Sequence, residues 1–338
     1  MAARPAGFDW RAAAVNAPYS SPALVAAVVL VVLTSIVNPG FITRGGWATA
    51  VGSAAPFMLL AIAEAPAILA GRGGVDLAVG PAAGLIAVAV ATILVPHGYS
   101  SPLYVIPAGI VMGLAAGAVN GLLIAYGRIP PIIATLGTYL IYAGVSTEIL
   151  PSPGGTVPEW LGKLMGSTGP IPTMCVVYVC ILALWVGLMQ TGFRRNLFAV
   201  GGNDRAAFTA GVNVEVIRLC AYSLTGVLTG IAGVVLVAVL GGADATVGPP
   251  YTLVAVAGVA LGGVSLTGGR GGLLGPAAGG AVLFLIQNLL SFIQVSAFLL
   301  QIVYGLVVLI AIVLNGTWDI LRRRQRASVL LVVGDQQA

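Results

Sequence analysis

The same nine-residue break interrupts an otherwise apolar chain twice. Residues 73–81 read GGVDLAVGP and residues 241–249 read GGADATVGP, an offset of 168 positions (241 − 73). Six of the nine positions agree: Gly73 with Gly241, Gly74 with Gly242, Asp76 with Asp244, Val79 with Val247, Gly80 with Gly248 and Pro81 with Pro249. The offset also carries Asn120 onto Asn288 and Gly137 onto Gly305. With 47 glycines in 338 residues, paired glycines alone would mean little. The shared Asp and Pro in one frame make this an internal repeat. Paired glycines let the backbone leave helical geometry, and the Asp that follows can accept from the N–H groups of the next helix. In lipid, such a break survives only where protein or a water-filled cavity satisfies the exposed backbone. Both copies are therefore expected beside a pathway, the plainer alternative being two ordinary loops between helices.

Hydrophobic residues make up 59% of the chain, charged residues only 7%, and the mean hydropathy is +1.04. Soluble domains carry about 25% charged residues. The expected class is an all-α integral membrane protein; the alternation of a transmembrane barrel is absent. His97 and the scattered Cys175, Cys180 and Cys220 have no metal-ligand spacing, so no metal is expected. A crossing helix needs about 20 apolar residues. Ten windows qualify: 22–38, 47–70, 81–95, 102–126, 131–150, 172–191, 216–240, 251–268, 272–293 and 297–315. The third is short, as a break that enters the membrane would make it. The first is read as a retained span rather than a cleaved leader.

Ten spans place both termini on one side. With the termini inside, thirteen of the fifteen Lys and Arg lie inside and only Arg44 and Lys163 outside, as the positive-inside rule requires. Spans one to five (22–150) and six to ten (172–316) would then be two inverted five-helix repeats within one membrane domain, 22–316, a transporter plan with broken helices at the repeat interface. A cytoplasmic segment, 1–21, precedes it and a basic tail, 317–338, follows. That tail would favour anionic lipid. The net charge of +5 is spread over loop ends and is not a nucleic-acid footprint.

The sizeable inner loop, 192–215, is the most polar internal stretch. Asn203 can cap a short helix starting at Asp204 and Arg205. Ala206, Ala207, Phe208 and Ala210 give that helix a small-residue face with one aromatic knob, and Gly211 can end it. Such a helix suits docking into a partner's cleft, where a mere connector could be shorter.

Four stretches carry a family resemblance: GGVDLAVG at 73–80, NGLLIAYGRIPPIIATLGT at 120–138, NLFAVGGNDRAAFTAGVNV at 196–214 and ALGGVSLTGGRGGLLGP at 260–276. Through them the chain resembles the membrane permeases of ABC importers for ribose, xylose, related sugars and the autoinducer-2 signal. The resemblance implies a sugar-importing permease of the bacterial inner membrane that works as a homo- or heterodimer with a second permease subunit. It implies two cytoplasmic ATPase subunits, with ATP and Mg bound there and not on this chain, and an extracytoplasmic solute-binding protein. Residues 203–211 match the family's ATPase-docking loop, with Arg205 where Glu is common and Ala206, Ala207 and Gly211 keeping the pattern. Ser often stands at Ala78, and Asn-Asn at Gln287-Asn288.

The run GGRGGLLG at 268–275 lacks the Gly-Lys-Ser/Thr ending and the preceding strand of a phosphate loop, so it is read as a cytoplasmic turn. No nucleophile–base constellation appears, and an enzyme is not expected. Glu64 falls inside the second span, where an ionisable group defaults to a functional reading: it lines the pathway, pairs with a polar neighbour, or is protonated. Asn120, Gln287, Asn288 and Gln301 either offer hydrogen bonds to passing hydroxyls or bond between helices. The expected pathway set is thus Glu64, Gly73, Gly74, Asp76, Asn120, Gly241, Gly242, Asp244, Gln287 and Asn288. The alternative class, an ion-gradient-driven carrier of a small polar solute, would lean on Glu64 and Asp76.

Overall fold

The computed structural model describes residues 20–272, 274–296, 299–300, 302–307, 309–310 and 313. Most of the segment 1–21, the tail 317–338, Gln301 and part of the tenth window lie outside the described residues.

The chain enters as α1 (Ser21–Val37), followed by a 3₁₀ turn, Pro39–Ile42. The second window is not one straight helix. It is α2 (Arg44–Ser53) and α3 (Ala55–Leu69), with Ala54 at the junction and Pro56 just inside α3. Pro66 also lies within α3. The Ala67 N–H beside it turns to Thr225 Oγ1 at 3.2 Å, so a neighbouring helix satisfies what the proline disturbs. Then come α4 (Val79–Ala89), running on as a π turn at Val90–Leu94, α5 (Pro102–Ala125) and α6 (Pro131–Ile149). Ser101 caps α5 and Pro102 opens it, where a missing N–H costs nothing.

The outer connector 151–173 holds a short helix, α7 (Glu159–Lys163), and an antiparallel pair of two-residue strands, Ser167–Thr168 with Ile171–Pro172. This small ladder is a detail of the connector, and the chain's elements are otherwise helical among the described residues. The second half contributes α8 (Cys175–Met189), α9 (Gly192–Gly202), α10 (Asp204–Thr209), α11 (Val214–Leu240), α12 (Gly248–Leu261) and α13 (Leu274–Phe292). Further helical residues follow from 299.

Among the described residues, five helices are long and apolar enough to cross a membrane: α2 with α3, α5, α6, α11 and α13. The bent pair α8–α9, turned by 81°, would make a sixth. α1, Val79–Leu94 and α12 are shorter apolar helices. α12 stops well before the expected residue 268, because Gly263 turns left-handed (φ 74°) and the chain leaves as a loop.

Glycines set the packing. On α5, Gly109, Gly113 and Gly117 face Gly226 and Gly230 of α11. A Cβ at Gly113 would lie 2.7 Å from Gly230 Cα, and one at Gly117 2.8 Å from Gly226 Cα. Positions rise on one helix as they fall on the other, so the two cross antiparallel with backbones in contact. This is how helices associate in lipid without a hydrophobic driving force. The main core lies around α3, where Leu59, Leu60, Ile68 and Leu69 meet Ala221, Leu228 and Val259. Ile181 and Trp185 of α8 join it, and α1 lies along α13.

Candidate functional site

The first break begins where α3 ends. Gly71, Arg72 and Gly73 are all left-handed, with φ of 82°, 56° and 65°. Glycine takes this conformation freely and arginine does not. The chain then passes irregularly through Gly74, Val75 and Asp76 before α4, with the Val75 N–H turning back to the Gly73 carbonyl at 2.7 Å. A Cβ at Gly74 would come 2.9 Å from the Gly71 carbonyl oxygen, so a side chain does not fit there.

Every backbone group freed by this irregular piece needs a partner. The Asp76 N–H donates to Glu64 Oε1 at 2.8 Å and the Ala78 N–H to Asp76 Oδ1 at 2.9 Å. The Val75 carbonyl accepts from Thr135 Oγ1 at 3.4 Å, and the Leu77 carbonyl from Thr252 Oγ1 at 3.0 Å. Asn120 Nδ2 donates to both Asp76 oxygens, at 3.1 and 3.3 Å, and its Oδ1 accepts from Thr138 Oγ1 at 2.7 Å. Glu64, Asp76 and Asn120 are 0%, 3% and 1% exposed. Glu64 therefore has a polar neighbour, the Asp76 backbone, although its Oε2 is buried without a partner. The cleft beside Asp76, Asn120, Tyr142 and Thr229 measures about 190 Å³ including its open margin, and room for about one water remains within it.

The second break keeps the local turn. Asp244 Oδ1 accepts from the Thr246 N–H at 2.8 Å, the same i to i+2 bond that Asp76 makes with Ala78. Gly241 is left-handed (φ 64°), as Gly73 is. The surroundings differ. Asp244 is half-buried, and its other bond is to Thr246 Oγ1, at 2.8 Å. Ala243 pairs with Gly154 of the outer connector in a two-bond bridge of 3.0 and 2.8 Å. A Cβ at Gly242 would come 3.0 Å from the Gly154 carbonyl oxygen. Asn288 Oδ1 is buried without a partner, and Gln287 Oε1 accepts from the Tyr304 hydroxyl.

The two breaks meet. A Cβ at Gly80 would overlap the Gly248 carbonyl and come 2.7 Å from Thr252 N. One at Gly248 would come 2.7 Å from the Gly80 carbonyl oxygen, and one at Gly84 would lie 3.1 Å from Gly248 Cα. Gly80 faces Thr252 while Gly84 faces Gly248, so α4 and α12 cross antiparallel at their N-terminal ends. Equivalent residues touch reciprocally, as at a two-fold interface.

The inner loop folds as its residues suggest. Asn203 Oδ1 accepts from the Ala206 N–H at 3.1 Å, α10 runs from Asp204, and Gly211 turns left-handed (φ 84°). The exposed face differs from the expected one at Ala207 alone. Ala207 is 4% exposed and packs into the main core, while Arg205, Ala206, Phe208 and Ala210 face outward, Phe208 at 66%. Asp204 turns inward, its Oδ2 lying 2.5 Å from Arg72 Nε and 2.6 Å from Arg218 Nη2.

The residues not anticipated are Thr135, Thr138 and Thr252, which close the polar network of the first break, and Arg72 and Arg218, which hold Asp204. The expected turn at 268–275 packs as tightly as its glycines suggest: a Cβ at Gly269 would lie 2.5 Å from Gly202 N. No group of His, Cys, Asp and Glu able to hold a metal occurs among the described residues.

Residues 46–312 match the family described as branched-chain amino acid transport system / permease component. The chain is similar to the ribose import permease protein RbsC of Bacillus subtilis, with 36% identity over 85% of this chain and 89% of the relative. The Escherichia coli K12 protein of the same name is 33% identical over 87% and 92%. The autoinducer 2 import system permease protein LsrC of Escherichia coli (strain K12 / DH10B) is 33% identical over 87% and 86%. No solved structure matches.

Proposed function

The chain belongs to the branched-chain amino acid transport system / permease component family, and from that premise we propose that it is the membrane subunit of an ATP-binding-cassette importer. Its cargo would be a monosaccharide or a related polyol or signal sugar, as the names of its relatives suggest. Two cytoplasmic ATPase subunits, carrying ATP and Mg, drive it. An extracytoplasmic solute-binding protein feeds it, and a second permease subunit, identical or not, completes the membrane pair in the bacterial inner membrane.

The observation that carries the reading is the antiparallel crossing of α4 and α12 at Gly80 and Gly248, each helix preceded by a glycine break. It supports two inverted repeats with broken helices at their interface, a transporter plan. The α5–α11 crossing supports it too, because the 168 offset carries that pair onto α13 and α3. There a Cβ at Gly280 would lie 2.7 Å from Met58 Cα. On this reading there are ten spans, with both termini cytoplasmic. The breaks at 73–78 and 241–247 enter from opposite sides, and the exposed Phe208 of α10 is the knob that docks into an ATPase.

The test is uptake of radiolabelled ribose by the permease reconstituted in vesicles with its ATPase and binding protein. Uptake that needs all three and ATP supports the reading. Uptake driven by a proton or sodium gradient without the ATPase would replace it with the carrier alternative, in which Glu64 and Asp76 handle the ion.

A further inference from the structure

We propose that Asp204 is the positioning residue through which the docking helix α10 moves both glycine breaks at once. This rests on reading 203–211 as the ATPase-docking loop.

One oxygen, Asp204 Oδ2, holds a cation from each half of the molecule. Arg72 Nε lies 2.5 Å away and Arg218 Nη2 2.6 Å away. Arg72 sits in the left-handed turn that starts the first break. Asp76 is four residues further on, within about 14 Å of extended chain. Arg218 is in the first turns of α11, its side chain 7% exposed. At about 1.5 Å per residue, that 27-residue helix spans about 40 Å, and its far end is Gly241, where the second break begins. A displacement of Asp204 is therefore delivered through a tight turn, closed by the Val75 N–H on the Gly73 carbonyl at 2.7 Å, to Asp76 and along a rigid rod to Asp244.

The backbone around the clasp leaves no slack. A Cβ at Gly71 would come 2.9 Å from Gly201 Cα, and one at Gly201 2.5 Å from Gly269 N. The Gly269 N–H donates to the Leu69 carbonyl at 3.1 Å. The end of α9 thus bears directly on the turn that holds Arg72, and α10 follows after the single residue Asn203. Arg205, the neighbour with the same exposure as the docking face, carries no such link to either break; the charge that couples is Asp204.

The experiment uses the permease assembled with its ATPase and binding protein in lipid vesicles, and reads ribose uptake per ATP hydrolysed. Asp204→Ala should lower that ratio roughly tenfold, within the usual range of coupling factors, with ATP hydrolysis by the assembled complex retained. A purely structural role would lower uptake and hydrolysis together and leave the ratio unchanged, which would overturn the proposal. Arg72→Ala, at an exposed side chain, is the variant to use where Asp204→Ala does not assemble, and it should also lower the ratio. A third arm replaces Cys175, Cys180 and Cys220 with Ser and introduces Arg72→Cys with Asp204→Cys. The reduced protein should be uncoupled, and joining the two thiols with a short bis-thiol reagent should restore coupling; joined thiols without recovery would count against the idea. Wild-type complex that takes up no ribose with ATP would sink the importer reading instead, so the two failures are distinguishable.

Discussion

The two glycine breaks share a turn but not an environment. Each places a left-handed glycine, an Asp bonded to the N–H two residues on, and a glycine at the α4–α12 crossing. Around Asp76 the membrane domain supplies Glu64, Asn120, Thr135 and Thr138. At the positions 168 residues later, Glu64 becomes Ala232, Thr138 becomes Leu306, and only Asn120 keeps its type, as Asn288. Asp244 is half-exposed and completes its bonding with its own Thr246, while the connector clamps the preceding backbone through Gly154. The repeat therefore preserves what the backbone needs to turn and cross. The side-chain network belongs to the first break alone, where the irregular chain is buried in protein and its backbone groups find partners among side chains.

That comparison can be broken most sharply at the crossing. Gly80→Val and Gly248→Val should each abolish folded, membrane-inserted protein, because either side chain overlaps the partner backbone and overpacking costs about 1–3 kcal/mol or more. Monodispersity in detergent is the measurement, and a stable Gly248→Val protein would show that the contact is not shared equally. Next come the two acids. Asp76→Ala leaves the Asn120 amide and the Ala78 N–H buried without an acceptor, a loss of about 2–4 kcal/mol at about 1–3 per orphaned group. Asp244→Ala removes two bonds, to the Thr246 N–H and hydroxyl, but at a half-exposed site where water can replace them, for a loss of about 1 kcal/mol. Thermal unfolding of the two variants side by side should show Asp76→Ala much the weaker, and equal losses would erase the distinction drawn here. Thr138→Val, which deletes one bond inside the network of the first break, should cost about 0.6 kcal/mol. The smallest effect belongs to Asp244→Asn, whose Oδ1 can still accept from Thr246; its melting temperature should be indistinguishable from wild type.

The sequence carried the breaks, the capped loop helix at Asn203–Asp204 and most helix positions, because these depend on local residue types: glycine for a left-handed turn, an Asx side chain for a cap, an apolar run for a span. It did not carry the partners. Thr138 bonds Asn120 across 18 positions and Thr252 bonds Leu77 across 175. A threonine in an apolar helix gives no signal of which carbonyl or amide it will meet. The buried face of α10 was equally hidden, since Asp204–Thr209 is less than two turns and has no periodicity to read. Ala207 reads in the sequence as part of a docking surface, and its inward position follows from tertiary packing into the main core, the cluster that also holds Leu69 and Ala70. The stop in α12 was missed because the residues after Leu261 remain apolar, and hydropathy alone does not register a left-handed Gly263. The second window hid its junction at Ala54 for the same reason.

The direct meeting of α4 and α12 has a mechanical consequence. With no side chain between them, the two rods already touch at the closest distance their main chains permit. They can swing about that point like scissor blades on a pin, but they cannot close further. Val79–Leu94 reaches about 24 Å from the pin at 1.5 Å per residue, so a swing of about 10° would sweep its free end through roughly 4 Å. Small rotations at the crossing would thus become wide excursions at the far end of the helix.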